Sequence, residues 1–165
     1  MAYLGHLTHT FHNQLRPPEC DIAIFSGDCT NPKDLLINER ECRDFIKWFG
    51  NLKIPTKIEI AGNHDVSIER NRITPGDFSL HGIIYLENNY TTVDGFRIWG
   101  SPITPTFGNG WAFNKSRETI NRVWDTIDDN TDIIVTHGPP KGVLDLSYNI
   151  DGELEYCGCG TLIKR

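Results

Sequence analysis

Lys57-Ile58-Glu59-Ile60-Ala61-Gly62-Asn63-His64-Asp65 decides the fold. An apolar run with isoleucine at every second position reads as a strand, and it ends abruptly on a glycine. Three consecutive ligand-capable side chains follow. Asn, His and Asp in succession are an unusual way to leave such a strand, and they favour a functional loop over a plain turn.

Working outward, the same arrangement recurs. Residues 21–25 read as a strand and run into Ser26-Gly27-Asp28. Residues 132–136 do the same before His137-Gly138-Pro139-Pro140, and a weaker strand candidate at 2–7 precedes Thr8-His9. In open α/β sheets ligands gather outside the carboxyl ends of the strands, so His9, Asp28, Asn63, His64 and His137 are expected to converge. Taken singly the signals are modest. Gly27-Asp28 reads as a turn, His137 equally well as a satisfied loop histidine, and His9 alone is weak. Jointly, the bland reading needs several independent coincidences of position. His6, His12 and His81 read as surface or turn residues.

Between the strands, residues 32–49 have helical periodicity, with a cap at Thr30 or Asn31, proline early, and an apolar face of Leu35, Cys42, Phe45, Ile46 and Phe49. Gly50 is expected to stop that helix. A second helix starts near Ser116 and places Ile120, Val123, Trp124 and Ile127 on one side. Shorter strands fall at 83–86, 90–93 and 96–99, with Asp94-Gly95 as a hairpin turn. Strands interleaved with helices argue for an α/β layered fold, and the length suits a single domain over residues 1–165.

Composition bounds the partners. The chain carries 22 acidic against 16 basic residues, a net charge of -6, which works against broad nucleic-acid binding. It leaves room for a phosphate substrate, because bound divalent cations supply positive charge locally. There is no secretory signal in the first residues and no apolar run of membrane-spanning length. Five irregularly spaced cysteines read as reduced thiols of a cytoplasmic protein. Cys157-Gly-Cys159 looks like half a metal site, but no second pair completes it.

The candidate ligands supply oxygen and nitrogen donors suited to Mn, Fe, Zn or Mg. A carboxylate such as Asp28 can bridge two cations, and two metals about 3.5–4 Å apart can clamp a phosphate ester. Glycines beside the ligands let the backbone turn tightly.

These blocks, Gly27-Asp28, Gly62-Asn63-His64-Asp65 and Thr136-His137-Gly138, resemble the ordered signature of the calcineurin-like metallophosphoesterases. Ile98-Trp99-Gly100-Ser101-Pro102, Trp111-Ala112-Phe113-Asn114 and Gly138-Pro139-Pro140-Lys141-Gly142 are similar to its branch of small metallophosphoesterase-domain proteins. The resemblance runs from about His9 to Cys159. It implies a β-sandwich flanked by helices (four layers, α/β/β/α) with a dimetal centre at one edge, hydrolysing a phosphate mono- or diester such as a nucleotide by metal-activated water.

Carried over by resemblance, Asp28 bridges the metals, Asn63 and His137 bind the second, and His9 serves the first. His64 is the catalytic histidine and Asp65 orients it. Asn31, Gly62 and Gly138 are implied to lie against substrate, and the segment from Trp99 to Phe113 near it.

Two departures qualify this. The family's opening Asp-x-His reads Leu7-Thr8-His9 here, and the closing Gly-His-x-His block that follows Cys157-Gly-Cys159 in the family is absent. The first metal site is therefore expected to be weakened or lost, and a sheet edge to be exposed for self-association. The alternative reading is a degenerate, catalytically impaired member (a split or decayed gene product) that at most binds a metal or nucleotide. In a further variant, another chain or reading frame supplies the missing ligands.

Overall fold

Isoleucines 58 and 60 are fully buried on one face of the decisive strand, while Lys57 and Glu59 are buried on the other. A strand buried on both faces belongs in the middle of a layered structure. The computed structural model, which describes residues 3–5, 12, 15–148 and 151–165, places it there. Strands β1 (Tyr3–Gly5), β2 (Ile22–Phe25), β3 (Thr56–Glu59) and β4 (Ile83–Tyr85) form one parallel sheet in that order. Phe25 is level with Glu59, and Glu59 with Tyr85, so the loops after β2 and β3 leave the sheet side by side. The weak candidate at 2–7 contains β1; its other residues, and His9, lie outside the described ones.

Parallel neighbours need a crossover, supplied between β2 and β3 by helix α1 (Leu35–Gly50). Its Cys42, Phe45, Ile46 and Phe49 are buried as their spacing requires, with Phe45 4.5 Å from Phe25 between ring centroids. The cap differs from expectation. Asp34 accepts hydrogen bonds from the Leu36 and Ile37 amides at 3.1 and 3.0 Å. Thr30 does not cap, because its hydroxyl is engaged with Asp65 and Asn38. Nor does Gly50 stop the helix by a left-handed turn: it is the last helical residue, and Asn51 closes the end in right-handed geometry. Short helices α2 (Val66–Glu69) and α3 (Pro75–Ser79) lead on to β4.

A second sheet holds β5 (Asn89–Val93), β6 (Phe96–Ser101) and, further along the chain, Ile133–Thr136, ordered with β6 in the centre. Asp94 and Gly95 both take positive φ, the twist a two-residue hairpin requires. A small ribbon of β7 (Thr104–Pro105) and β8 (Asn114–Lys115) follows, then α4 (Asn121–Trp124), and Ile133–Thr136 is β9. The second helix is thus far shorter than expected, although Ile120, Val123, Trp124 and Ile127 are all buried. Hydroxyls account for the difference: Thr119 donates to the Ser116 carbonyl and Thr126 to the Val123 carbonyl, offering these carbonyls alternatives to a regular ladder.

Ile24, Ile58, Ile60 and Leu86 meet Ile98 and Val135 between the two sheets. Each such side chain, fully buried, contributes roughly 1.5–3 kcal/mol. On the outer face of the second sheet Trp99 packs edge-on against Trp124 at 5.9 Å. The layers are helix, sheet, sheet, helix, which is the expected α/β sandwich. An exposed hairpin of β10 (Leu146–Tyr148) and β11 (Leu154–Tyr156) precedes a closing turn at Leu162–Lys164. Among the described residues no helix is long and apolar enough to cross a membrane.

His12 is a correction. It is buried between Phe45 and Trp48, its ring 5.6 and 5.3 Å from theirs, with Nε2 3.2 Å from Asp44. His81 is exposed as read, and His6 lies outside the described residues.

Candidate metal centre

Three strands of the sandwich deliver the site through their following loops. After β2 the chain turns at Gly27 (φ 98) and Asp28 (φ 62). A side chain at Gly27 would stand 2.6 Å from the Ala61 carbonyl oxygen, so the loop after β2 can press on the loop after β3 only with glycine there. Asp28 is a non-glycine residue in left-handed geometry, and its amide is held by Asp65 Oδ2 at 2.9 Å. The loop after β9 brings in His137.

Gly62 forms the floor. A Cβ on it would lie 2.4 Å from Asp28 Oδ1 and 2.6 Å from His137 Cε1. The sequence suggested contact with substrate for this residue; its place is beneath the two side chains, where it lets them approach.

The polar geometry is specific. His137 Nδ1 is 2.8 Å from the Ser26 carbonyl oxygen. A carbonyl only accepts, so Nδ1 carries the hydrogen, and in the neutral ring Nε2 holds a lone pair. That lone pair faces Asn63 Oδ1 at 2.9 Å and Asp28 Oδ1 at 3.4 Å. Two oxygens thus face one ring lone pair, an arrangement relieved by a cation in their midst, by a proton on His137, or by a turn of the Asn63 amide that brings its NH2 to Nε2. Burial alone would lower the His137 pKa, but the Asp28 carboxylate and the Ser26 carbonyl outweigh it and raise it. Burial likewise opposes ionisation of Asp28, and His137 and His64 outweigh it, so this carboxyl sits below its usual range. Among the described residues no trio drawn from His, Cys, Asp and Glu alone is gathered for a metal. The third donor here is an asparagine amide oxygen, which suits Mn, Mg or Zn alongside a carboxylate and an imidazole.

His64 stands at the mouth. Its amide donates to Asp28 Oδ1 at 2.9 Å, its Nδ1–H donates to the Asn31 carbonyl at 3.0 Å, and Nε2 lies 4.0 Å from Asp28 Oδ2. The implied partnership with Asp65 is not what orients the ring; the Asn31 carbonyl takes that hydrogen. Asp65, fully buried, instead accepts from the amides of Asp28, Gly62 and Thr30, the Thr30 hydroxyl and the Cys29 thiol. It ties the loops after β2 and β3 together. Burial and the Asp28 charge push its pKa up, and those hydrogen bonds oppose the rise.

Asn31 contributes its backbone carbonyl, while its own amide is bonded to Glu41. Gly138 accepts the Thr136 hydroxyl at 2.9 Å. Sequence reasoning missed Asn38, whose Nδ2 reaches Thr30 Oγ1, the Pro32 carbonyl and the His64 carbonyl while its Oδ1 receives the Ser67 amide. A signal existed: Asn38 is a polar residue in line with Cys42, Phe45 and Phe49 on the apolar stripe of α1. Cys157 and Cys159 are not paired in one site, the first bonded to the Asp145 carbonyl and the second 3.2 Å from Trp124 Nε1.

A sandwich carrying Asp, Asn and His side chains on strand-end loops defines a class, and the chain belongs to it: residues 3–160 match the calcineurin-like phosphoesterase family. Its relatives include human metallophosphoesterase domain-containing protein 1, 32% identical over 95% of this chain and 53% of that protein. A Caenorhabditis elegans protein, UPF0046 protein T07D4.2, is 30% identical over 89% of this chain and 42% of its own length. A third match, 35% identical, covers 86% of this chain and 14% of a protein from Emericella nidulans named probable rhamnogalacturonate lyase C. The chain spans about half the length of the human relative.

Proposed function

We propose that the chain is a divalent-metal-dependent phosphoesterase that hydrolyses a small phosphate mono- or diester such as a nucleotide. The carrying observation is the approach of Asn63 Oδ1 and Asp28 Oδ1 to His137 Nε2, at 2.9 and 3.4 Å. When bound, a Mn, Fe, Zn or Mg ion would supply Lewis-acid charge to the phosphoryl group and the attacking water. The protein's own work is the rest. Ser26 fixes the His137 tautomer so that the Nε2 lone pair would be free to hold such an ion. Gly62 leaves the space, and Asp65 holds both loops. His64, its Nδ1–H on Asn31, has Nε2 turned to the site, where a protonated ring can deliver its hydrogen to the leaving oxygen. Five free thiols support a reducing, cytoplasmic setting.

The test is hydrolysis of bis-p-nitrophenyl phosphate with added Mn, comparing the chain with Asp28→Ala and His64→Ala. Loss of on the order of 10²-fold or more in either variant supports the reading. Equal rates in all three would falsify it and favour a degenerate family member.

A further inference from the structure

His64 is gripped from a side that its own loop does not provide. The Trp111 ring lies 4.5 Å from the imidazole, tilted by 59°. Lys33 Nζ sits 3.8 Å from the centre of the indole and donates to the Asn109 carbonyl at 3.1 Å. Lys33 follows Asn31, whose carbonyl receives the His64 Nδ1 hydrogen. Trp111 is joined to the metal loop in turn, since the next amide, Ala112, donates to the Asn63 carbonyl at 2.9 Å. Residues 106–110 are otherwise exposed, with both Gly108 and Gly110 at positive φ. The ammonium therefore fastens the tip of this loop across the site, alongside the Phe107 amide on Asn114 Oδ1 at 3.3 Å and the Phe107 ring 5.9 Å from Trp111.

We infer that Trp111, clasped by Lys33, is a positioning residue for His64: it holds the imidazole with Nδ1 on Asn31 and Nε2 toward the reacting group. The catalytic half of this inference rests on the phosphoesterase reading; the orientation half does not. Left to itself, a neutral histidine ring favours the opposite tautomer, with the hydrogen on Nε2, and rotates freely. An indole face on one side and a carbonyl at Nδ1 leave one ring position. Loss of that position is the kind of misplacement of about 1 Å that costs on the order of 10²-fold in rate.

Two measurements decide it. Long-range ¹H–¹⁵N NMR of the histidine side chains, on protein free of metal and substrate and assigned with His64→Gln, reads the His64 tautomer. The Nδ1–H form is expected in the wild type and in Trp111→Phe, with a mixture in Trp111→Ala and a partial shift in Lys33→Met. Kinetics with bis-p-nitrophenyl phosphate and Mn then read the consequence. Trp111→Ala lowers kcat on the order of 10²-fold with KM changed by no more than about threefold, and Trp111→Phe restores most of it. An unchanged tautomer in Trp111→Ala overturns the inference, and so does a rise in KM with kcat kept, which would make Trp111 a substrate contact. If no variant hydrolyses the ester, the proposed function falls while the NMR result still decides the positioning.

Discussion

His137 Nε2 and Asn63 Oδ1 face each other across 2.9 Å, and the only hydrogen of the neutral imidazole is already bonded to the Ser26 carbonyl. Lone pair meets lone pair. A proton on His137 relieves this at low pH, and a cation relieves it at high pH, so the two compete. The stabilising His137–Asp28 pairing, with the His137 pKa raised, is fully present below the ordinary histidine value and is lost as pH rises through the raised one. Added Mn should therefore raise the melting temperature more at about pH 8 than at about pH 6. At a hundredfold excess over Kd the gain is about 2.7 kcal/mol, which is roughly 5–10 °C for a chain of this size. His137→Ala should lose the shift. A thermal shift equal at both pH values contradicts the competition.

Asp65 is a structural anchor by its contacts, and its replacement should be felt in folding before chemistry. Asp65→Asn keeps the shape but turns an NH2 group toward donors. Depending on which oxygen the NH2 replaces, either the Thr30 amide or both the Asp28 and Gly62 amides are left without an acceptor. At about 1–3 kcal/mol for each buried donor left unmade, the loss is at least about 1–3 kcal/mol. Urea denaturation measures it; a cost under about 1 kcal/mol would mean the loops are held by something else.

Gly62 and Gly138 neighbour candidate ligands alike, yet they should behave differently. The Cβ of Gly62→Ala meets Asp28 Oδ1 at 2.4 Å, whereas that of Gly138→Ala comes no nearer to any atom than 3.1 Å, to Thr104 Cγ2. Calorimetric titration with Mn should show affinity weakened by about tenfold or more in the first and within about threefold of wild type in the second, the second change being one a flexible methyl can absorb. Similar affinities in both variants would remove Gly62 from the floor of the site.

The meeting of the loops after 25 and 61 was legible because their strands are parallel neighbours and end on one side, whereas the loop after 136 leaves the second sheet and was linked to them only by its ligand-capable histidine at a strand end. The layered α/β character was legible too, from strands interleaved with the apolar stripe of α1, while the order of the four layers came from the family resemblance. What hydrogen-bond partners each polar group takes was not. The resemblance implied that Asp65 orients its neighbour His64, yet in space the carboxylate points down into the loops and a carbonyl from Asn31 does the orienting. Periodicity also reports burial rather than backbone: Ile120, Val123, Trp124 and Ile127 are buried at helical spacing although only residues 121–124 are helical. His12 misled for the converse reason, since nothing local announces that Phe45 and Trp48 will close over it.

Glu59 offers the last prediction. It lies in β3 on the face toward α1, level with Phe25 and Tyr85, with no solvent exposure. Neither carboxyl oxygen has a hydrogen-bond partner among the described residues, and only the nearby Cys29 thiol eases the charge. Burial, with the Asp65 charge adding to it, pushes the Glu59 pKa well above the usual carboxylate range. The folded chain then binds a proton that the unfolded chain releases. Stability is highest below the unfolded value and falls as pH rises from there toward the raised value, by up to about 1.4 kcal/mol per pH unit. Glu59→Gln cannot ionise, so it should remove this slope. His137 contributes a slope of the same sign, and it persists in the variant; the difference between wild type and Glu59→Gln isolates the glutamate. Urea unfolding with EDTA present, from about pH 5 to about pH 8, should show the variant gaining on the wild type steadily as pH rises. Parallel curves would place an ionised, compensated carboxylate at residue 59.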